Sequence, residues 1–488
     1  MNDTGFELVF PSEDSTLTAQ GETREGVPYG QWVFHNEDSS FYQTGIYNEA
    51  GKRMGFWQIF INRIERSRMK YSNDTLNGNY TLFHQNSRAA VKTTFKNGEL
   101  EGEWNSYNTL GQKFESGRFT QGQKTGSWRS FFGNGQVEIR SNYEEGLLNG
   151  KFTQFDVFGD KVIETNYQKG RLHGPWIKLD AGQIIEKGEF VKGERHSEWL
   201  YYEFGSSSPA IREYYENGKR TGTWVEYHGN RRKASETTYE DDKIVGLAKT
   251  WFDNKQLASV TRYRLGLPDS LYTEYFRNGN VAVTGLYNLG SSQGDWKYYH
   301  ENGLLSEIGS FTNDEKSGNW KTFNKNGVLI AEGTYRFGQE VGQWFNYYDN
   351  GKLESIGSFR QGRKDGLWGY FHKTGAPMFE ETYEAGKLLK VSDFTDIDGR
   401  TRDMGNIVNG KGVRTNYTPE GKRYSEGPYS EGLPNGQWTF YDEKERKLSA
   451  GMLVNGAKEG EWRIYSRTGR TIRIESYSNG ELIDSRWR

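Results

Sequence analysis

The stretch GQWFNYYDNGKLESIGSFRQGRKDGLW, residues 342–368, opens on Gly-x-Trp, passes two tyrosines and an Asn-Gly, and closes on Gly-x-Trp again. Trp344 and Trp368 stand 24 residues apart, and that interval runs through the whole chain. Thirteen of the 15 tryptophans, from Trp32 to Trp462, keep one register with steps of 22 to 25, including Trp128, Trp296 and Trp320. The vacant phases hold Tyr80, Phe152, Ala248, Tyr272, Ser392 and Arg414. A period of this length marks a repeat architecture, which has to be recognised before any other feature is read.

Two further columns follow the same ruler. Fifteen residues after the tryptophan an aromatic recurs, as at Tyr143, Tyr335 and Phe359; seven residues after it comes a glycine, as at Gly135, Gly327 and Gly351. Runs of six to eight residues rich in Tyr, Phe, Trp, Ile and Thr lie between the glycines and read as strands. Asn-Gly between two such runs predicts a tight hairpin turn with positive φ at its centre. Gly362-Arg-Lys-Asp-Gly366 predicts the return turn into the next unit. One unit is one β-hairpin, and about 19 of them span residues 30 to about 485. The expected fold is all-β: an elongated solenoid of antiparallel hairpins in a twisted meander sheet. Its expected parts are an N-terminal capping strand over 1–29, a long array over 30–385, degenerate repeats with a bend over 386–413, and C-terminal repeats with a cap over 414–488.

Composition fits a structure held by rings. Of 488 residues 33% are apolar but 15% are aromatic, and 61 are glycine. Disordered chains are poor in aromatics, whereas each large ring buries much area per residue. Net charge is −2, so no bulk field draws the chain to nucleic acid or an anionic membrane. With no cysteine, disulfides and thiolate metal sites are excluded. The N-terminus lacks a signal-peptide pattern and no run approaches a membrane span, which favours a cytoplasmic location.

The unit is seen most cleanly in GDWKYYHENGLLSEIGSFTNDEKSG (294–318) and GQWTFYDEKERKLSAGMLVNGAKEG (436–460). It resembles the MORN repeat, and most closely the bacterial variant of YwqK-type antitoxins. The resemblance covers nearly the whole chain. It implies stacked β-hairpins used for protein contact or scaffolding and, for the antitoxin label, neutralisation of a toxin by binding.

No catalytic, cofactor or metal site is expected. Six of the seven histidines sit at two repeat positions, His84, His228, His300 and His372 four after the tryptophan phase, His173 and His196 three before it. They read as surface substitutions spread along the array. The basic residues four before the tryptophan, such as Lys124, Lys316 and Lys364, read as a solvated turn. Doubled aromatics invite a different reading, because strand alternation sends one ring of each pair to each face. Exposed tyrosine stripes favour protein interfaces. The candidate partner contacts are Trp251, Phe252, Tyr272, Tyr275, Tyr298, Tyr299, Tyr347, Tyr348, Tyr370 and Phe371, some of them where the ruler bends at 246–275. A second bend in the ruler lies at 386–414. The expected function is a non-enzymatic scaffold binding a protein partner, of the antitoxin or immunity kind. The alternative is a structural assembly component of a cell surface, envelope or virion that associates through its exposed end strands or repeat faces.

Overall fold

Strand-forming runs punctuated by two kinds of turn build everything in the computed structural model, which describes residues 7–14 and 16–488. Among the described residues there is no helix. The chain divides into two units, Met1–Lys243 and Ile244–Arg488. In the first, strands from Thr18–Arg24 to Lys233–Glu240 pair antiparallel with their neighbours in the chain. In the second, the same meander runs from Lys243–Trp251 to Lys387–Val391. A short ribbon of Phe394–Thr395 with Thr401–Arg402 follows, then a further antiparallel sheet from Gly412–Tyr417 to Glu481–Trp487. Of the stretch expected as a capping strand, residues 1–6 and 15 lie outside the described residues and Thr18–Arg24 forms a strand. Residues 7–14 form none; Leu8 and Val9 pack instead on the aromatic cluster of Trp57 and Tyr80.

The two turns have exchanged the chemistry expected of them. At the return turn, Gln361 and Gly362 both have positive φ (52° and 71°) and Arg360 pairs with Arg363, which makes a two-residue primed turn. At the Asn-Gly turn only the glycine is left-handed, Gly351 at 77°. Its N–H bonds the Tyr348 carbonyl at 2.9 Å, so an ordinary turn is closed by a glycine bulge. The asparagine serves another purpose. Asn350 Nδ2 donates to the carbonyl of Lys373 at 2.9 Å, Asn302 to Lys325 at 2.7 Å and Asn278 to Glu301 at 2.8 Å. Each staples its turn to the equivalent turn of the next unit.

Gly366 and its counterparts do not lie in the return turn at all. Gly318, two residues before Trp320, is left-handed at 66° within the strand Glu315–Phe323. There the register jumps, with Ile308 opposite Lys321 but Ser310 opposite Ser317. Gly318, Asn319 and Trp320 thus bulge across a single residue, Gly309. The bulge lays the indole flat on that glycine: a Cβ on Gly309 would come within 2.1 Å of the Trp320 ring. Trp320 Nε1 also reaches the freed Ser310 carbonyl at 3.2 Å. The same contact recurs at Gly117 under Trp128, Gly333 under Trp344 and Gly357 under Trp368. Gly-x-Trp is therefore a bulge motif, and the glycine 11 residues upstream is its seat.

Rings then stack in one column. Phe311 meets Trp320 at 5.2 Å and 90°, Tyr335 meets Trp344 at 5.2 Å and 87°, and Phe359 meets Trp368 at 5.1 Å and 85°. Edge-to-face pairs of this kind contribute about 0.5–1.5 kcal/mol each beyond burial. The basic column expected in a solvated turn lies inside this stack. Lys316 Nζ sits 3.8 Å from the Trp320 ring centre and 2.6 Å from the Glu307 carboxylate. Lys124 repeats the arrangement on Trp128 and Glu115. Lys364 lies over Trp368 and donates to the Tyr370 hydroxyl at 2.6 Å; burial lowers its pKa. The correction has a plain cause. These lysines are the second residue of their strand, and their stems lie along apolar rings.

Burial also raises the tyrosines, with Tyr335, Tyr347 and Tyr441 pushed up to about 12. Between pH 10 and 12 an unfolded chain releases these protons while the folded chain holds them. Stability should be insensitive to these groups below pH 10 and fall steeply above it. A tyrosinate absorbance titration checks this: the folded protein should titrate late, in a step that coincides with loss of strand structure. A smooth titration at the ordinary phenol pKa would contradict the buried column.

Candidate partner-binding faces

Alternation gives every strand a tryptophan face and an outer face. None of the ten candidate contact residues is exposed; all are half-buried. Tyr298 stacks on Trp296 at 6.3 Å and 28°. Tyr347 is hydrogen-bonded through its hydroxyl to Glu332 at 2.8 Å, and Tyr348 to the Phe371 carbonyl at 2.8 Å. Tyr370 stacks on Phe379 at 4.5 Å. Tyr272 donates to Glu274 at 2.9 Å, and Phe252 lies under the Arg277 guanidinium at 5.8 Å. Trp251, Tyr275, Tyr299 and Phe371 lie at strand ends beside the Asn-Gly turns or their counterparts. Doubling does not expose a ring, because each pair falls at the end of its strand, where one ring closes the strand and both stay half-buried. The ten are strung along successive hairpins and form no common patch.

The outer face is mostly small and polar. Asp295 bonds Ser310 at 2.7 Å and Asn319 bonds Thr334 at 2.8 Å across neighbouring strands. Single apolar side chains interrupt this pattern, as at Leu247, Leu367, Val413 and Met452, and at two further places, one in each unit, they come in pairs. Leu271 pairs in register with Leu286, and they are 55% and 45% exposed. In the other unit Ile46 pairs with Met54, and Phe56 beside them is 52% exposed. Ile46, Leu286 and Phe56 occupy the "x" of Gly-x-Tyr or Gly-x-Trp, Leu271 the same phase after Ser270, and Met54 the position before Gly55. Paired apolar letters in columns filled mostly by polar residues were a readable signal that the aromatic columns overshadowed.

Three of the histidines are not surface substitutions. His300 Nε2 approaches the Phe323 carbonyl at 2.9 Å, His84 that of Tyr107 at 2.8 Å and His372 that of Thr395 at 2.6 Å. The carbonyl accepts, so each Nε2 carries the proton. They extend the asparagine staples by a second rung between units. His300→Ala should lower stability by about 0.5–1.5 kcal/mol, the net value of one hydrogen bond, read by urea denaturation. No change would mean that the rung contributes nothing. Among the described residues no cluster of three or more His, Asp or Glu side chains has metal-holding geometry.

The stretch expected as degenerate, 386–413, has a core of its own. Leu388, Val391, Phe394, Met404 and Ile407 are buried together. Leu388 N–H bonds the Gly432 carbonyl, Gly432 N–H that of Gly410, and Gly410 N–H that of Leu389. Beside this knot, Arg414 stands at the tryptophan phase and Glu381 at the seat-glycine phase. They form an ion pair with both side chains at most 10% exposed. Tyr383 donates to Glu381 at 2.7 Å and Arg414 Nε to Asn416 at 2.6 Å. The paired change from glycine and tryptophan to glutamate and arginine keeps the column filled where the sheet is interrupted.

This geometry defines a class, the all-β hairpin-repeat fold with a buried ring column. Residues 124–145, 292–313, 316–336 and 340–361 match the model of the MORN repeat variant. No curated protein matches the chain. Among solved structures it is similar to the Tc holotoxin pore of Photorhabdus luminescens bearing a TccC3 mutation, at 11% identity and a TM-score of 0.15, over 92% of this chain and 28% of that one. It is also similar to TcdB2-TccC3 without its hypervariable C-terminal region, at 11% identity and a TM-score of 0.13, over 93% of this chain and 28% of that one. The chain thus spans little more than a quarter of the chains it matches. No helix among the described residues is long and apolar enough to cross a membrane.

Proposed function

We propose that this chain is a non-enzymatic repeat scaffold that binds a protein partner, and within that class an inhibitor of the antitoxin or immunity kind. The observation that carries the binding reading is the exposed, in-register pair Leu271–Leu286 on a largely polar outer face. Ring burial supplies most of the stability of the hairpins, and an exposed cross-strand pair adds only about 0.2–1 kcal/mol. Clustered apolar side chains rimmed by polar ones are the usual mark of a protein contact. The inhibitor reading rests on the likeness of the repeat to the antitoxin variant.

The test is affinity capture of the tagged chain at native level, beside the variant with Leu271→Asp and Leu286→Asp. A single stoichiometric foreign protein, small and toxic when expressed alone and lost from the variant, supports the reading. Recovery of the chain alone in growing assemblies overturns it in favour of a structural building block.

A further inference from the structure

Residues 7–14, ELVFPSED, cross the tryptophan face of the first unit without joining its sheet. Their main chain is held by two side chains. The Tyr80 hydroxyl accepts from the Val9 N–H at 2.8 Å and donates to the Val9 carbonyl at 3.0 Å. The Gln43 carboxamide does the same at Ser12, accepting from its N–H at 3.0 Å and donating to its carbonyl at 3.0 Å. Two amide groups three residues apart are thus read on both sides, as a strand partner would read them, but by side chains. Phe10 lies 5.7 Å from Tyr80 and 6.2 Å from Phe95, and Glu13 faces Arg53 at 3.7 Å.

The residues that do this depart from the repeat. Tyr80 takes the place of a tryptophan, which would have no hydroxyl to offer. Met69 takes the place of the glycine that seats one, and is fully buried. Gln43, also buried, stands two before the seat glycine Gly45, where Glu115 and Glu307 hold lysines in other units. The departures form a receptor for an extended chain. The strap nevertheless sits loosely in it. Phe10 remains 43% exposed, and a cavity of about 650 Å³ is lined by Pro11, Ser12, Phe34, Gln43, Arg53 and Trp57. Four side-chain hydrogen bonds, an exposed ion pair and the half-buried Leu8, Val9 and partly exposed Phe10 hold a segment that no ladder secures.

We propose that this face, with Tyr80 and Gln43 at its centre, is a docking site for an extended segment of a partner protein, and that residues 7–14 are its intramolecular competitor. The segment has the strap's own chemistry, apolar residues ending in an aromatic, then proline, a small polar residue and an acid placed for Arg53. Main-chain bonds supply affinity and side-chain pockets supply choice, the logic of strand addition transferred to a sheet face. The inference deepens the protein-binding reading above and rests on it.

The test uses the full chain with Phe10→Ala and Glu13→Ala, which loosens the strap and leaves the receptor intact. A labelled synthetic ELVFPSED peptide is titrated by fluorescence anisotropy, with a scrambled peptide as control. Saturable binding is expected, about tenfold or more tighter than to the unaltered chain, whose own strap competes. Adding Tyr80→Phe, which keeps the ring and removes two hydrogen bonds, should weaken binding by about tenfold. Absence of binding, or equal binding of the scrambled peptide, overturns the proposal. So does concentration-dependent dimerisation of the loosened chain without peptide, which would make a second copy's strap the occupant. None of these outcomes touches the capture experiment at Leu271 and Leu286, so the two readings can fail separately.

Discussion

Arg414→Ala should destabilise the second unit by about 3–5 kcal/mol, because it leaves the Glu381 carboxylate buried without its countercharge. The pair stands inside a ring of tyrosines, where desolvation pushes Tyr383 and Tyr370 upward and the charge on Glu381 adds to it. With Arg414 gone, Glu381 keeps the tyrosine hydroxyls and the field of Lys364, but no direct ion pair. Hydrogen exchange is the suitable measurement, since protection should fall first in Lys387–Val391 and Gly412–Tyr417, which flank the junction. A second variant separates charge from packing. Glu381→Leu with Arg414→Met removes both charges while filling the space, and a buried pair so replaced is often no less stable. If the single and double variants were equally damaged, packing and not the unpaired charge would be the cause.

Trp320→Ala should cost about 3–5 kcal/mol, the range for emptying the site of a buried large ring. It removes the indole at 2% exposure, its two ring contacts to Phe311 and Tyr335, and the platform for Lys316. The seat makes a sharper prediction. Gly309→Ala places a methyl 2.1 Å from the indole carbons, so the ring must leave its place. Overpacking of this kind costs about 1–3 kcal/mol. In the Trp320→Ala background the same methyl meets no ring, and Gly309→Ala should become nearly neutral. A double-mutant cycle by urea denaturation reads the coupling directly. Additive effects would mean that the glycine is needed for its backbone and not for the space above it.

Much of this was legible in the chain. The 24-residue register, the two aromatic columns and the turn glycines followed from one interval, because a repeat must bury the same face in every unit. All-β structure and antiparallel hairpins came with it. The roles of individual letters were less legible. Asn-Gly reads as a left-handed turn, yet Asn350 is there for the carbonyl of Lys373, 23 residues on. Lys316 reads as a solvated turn residue, yet it lies on Trp320. Both misreadings take a local rule as sufficient where the partner belongs to a strand or unit elsewhere in the chain. The strap was hidden for the same reason, since nothing within ELVFPSED announces Tyr80 or Gln43.

Sequence alone determined the period, the strand-forming segments and the positions where the ruler fails, because these depend on spacing and residue type within a few dozen residues. Tertiary structure decided which glycine carries a ring and which only turns the chain. It also placed the exposed leucines on the outer face and made Glu381 and Arg414 partners across an irregular insert. Bulges set those outcomes. By placing three residues against one, a bulge shifts which side chains meet across the sheet, and that pairing is a property of the assembled strands and not of either strand's own letters.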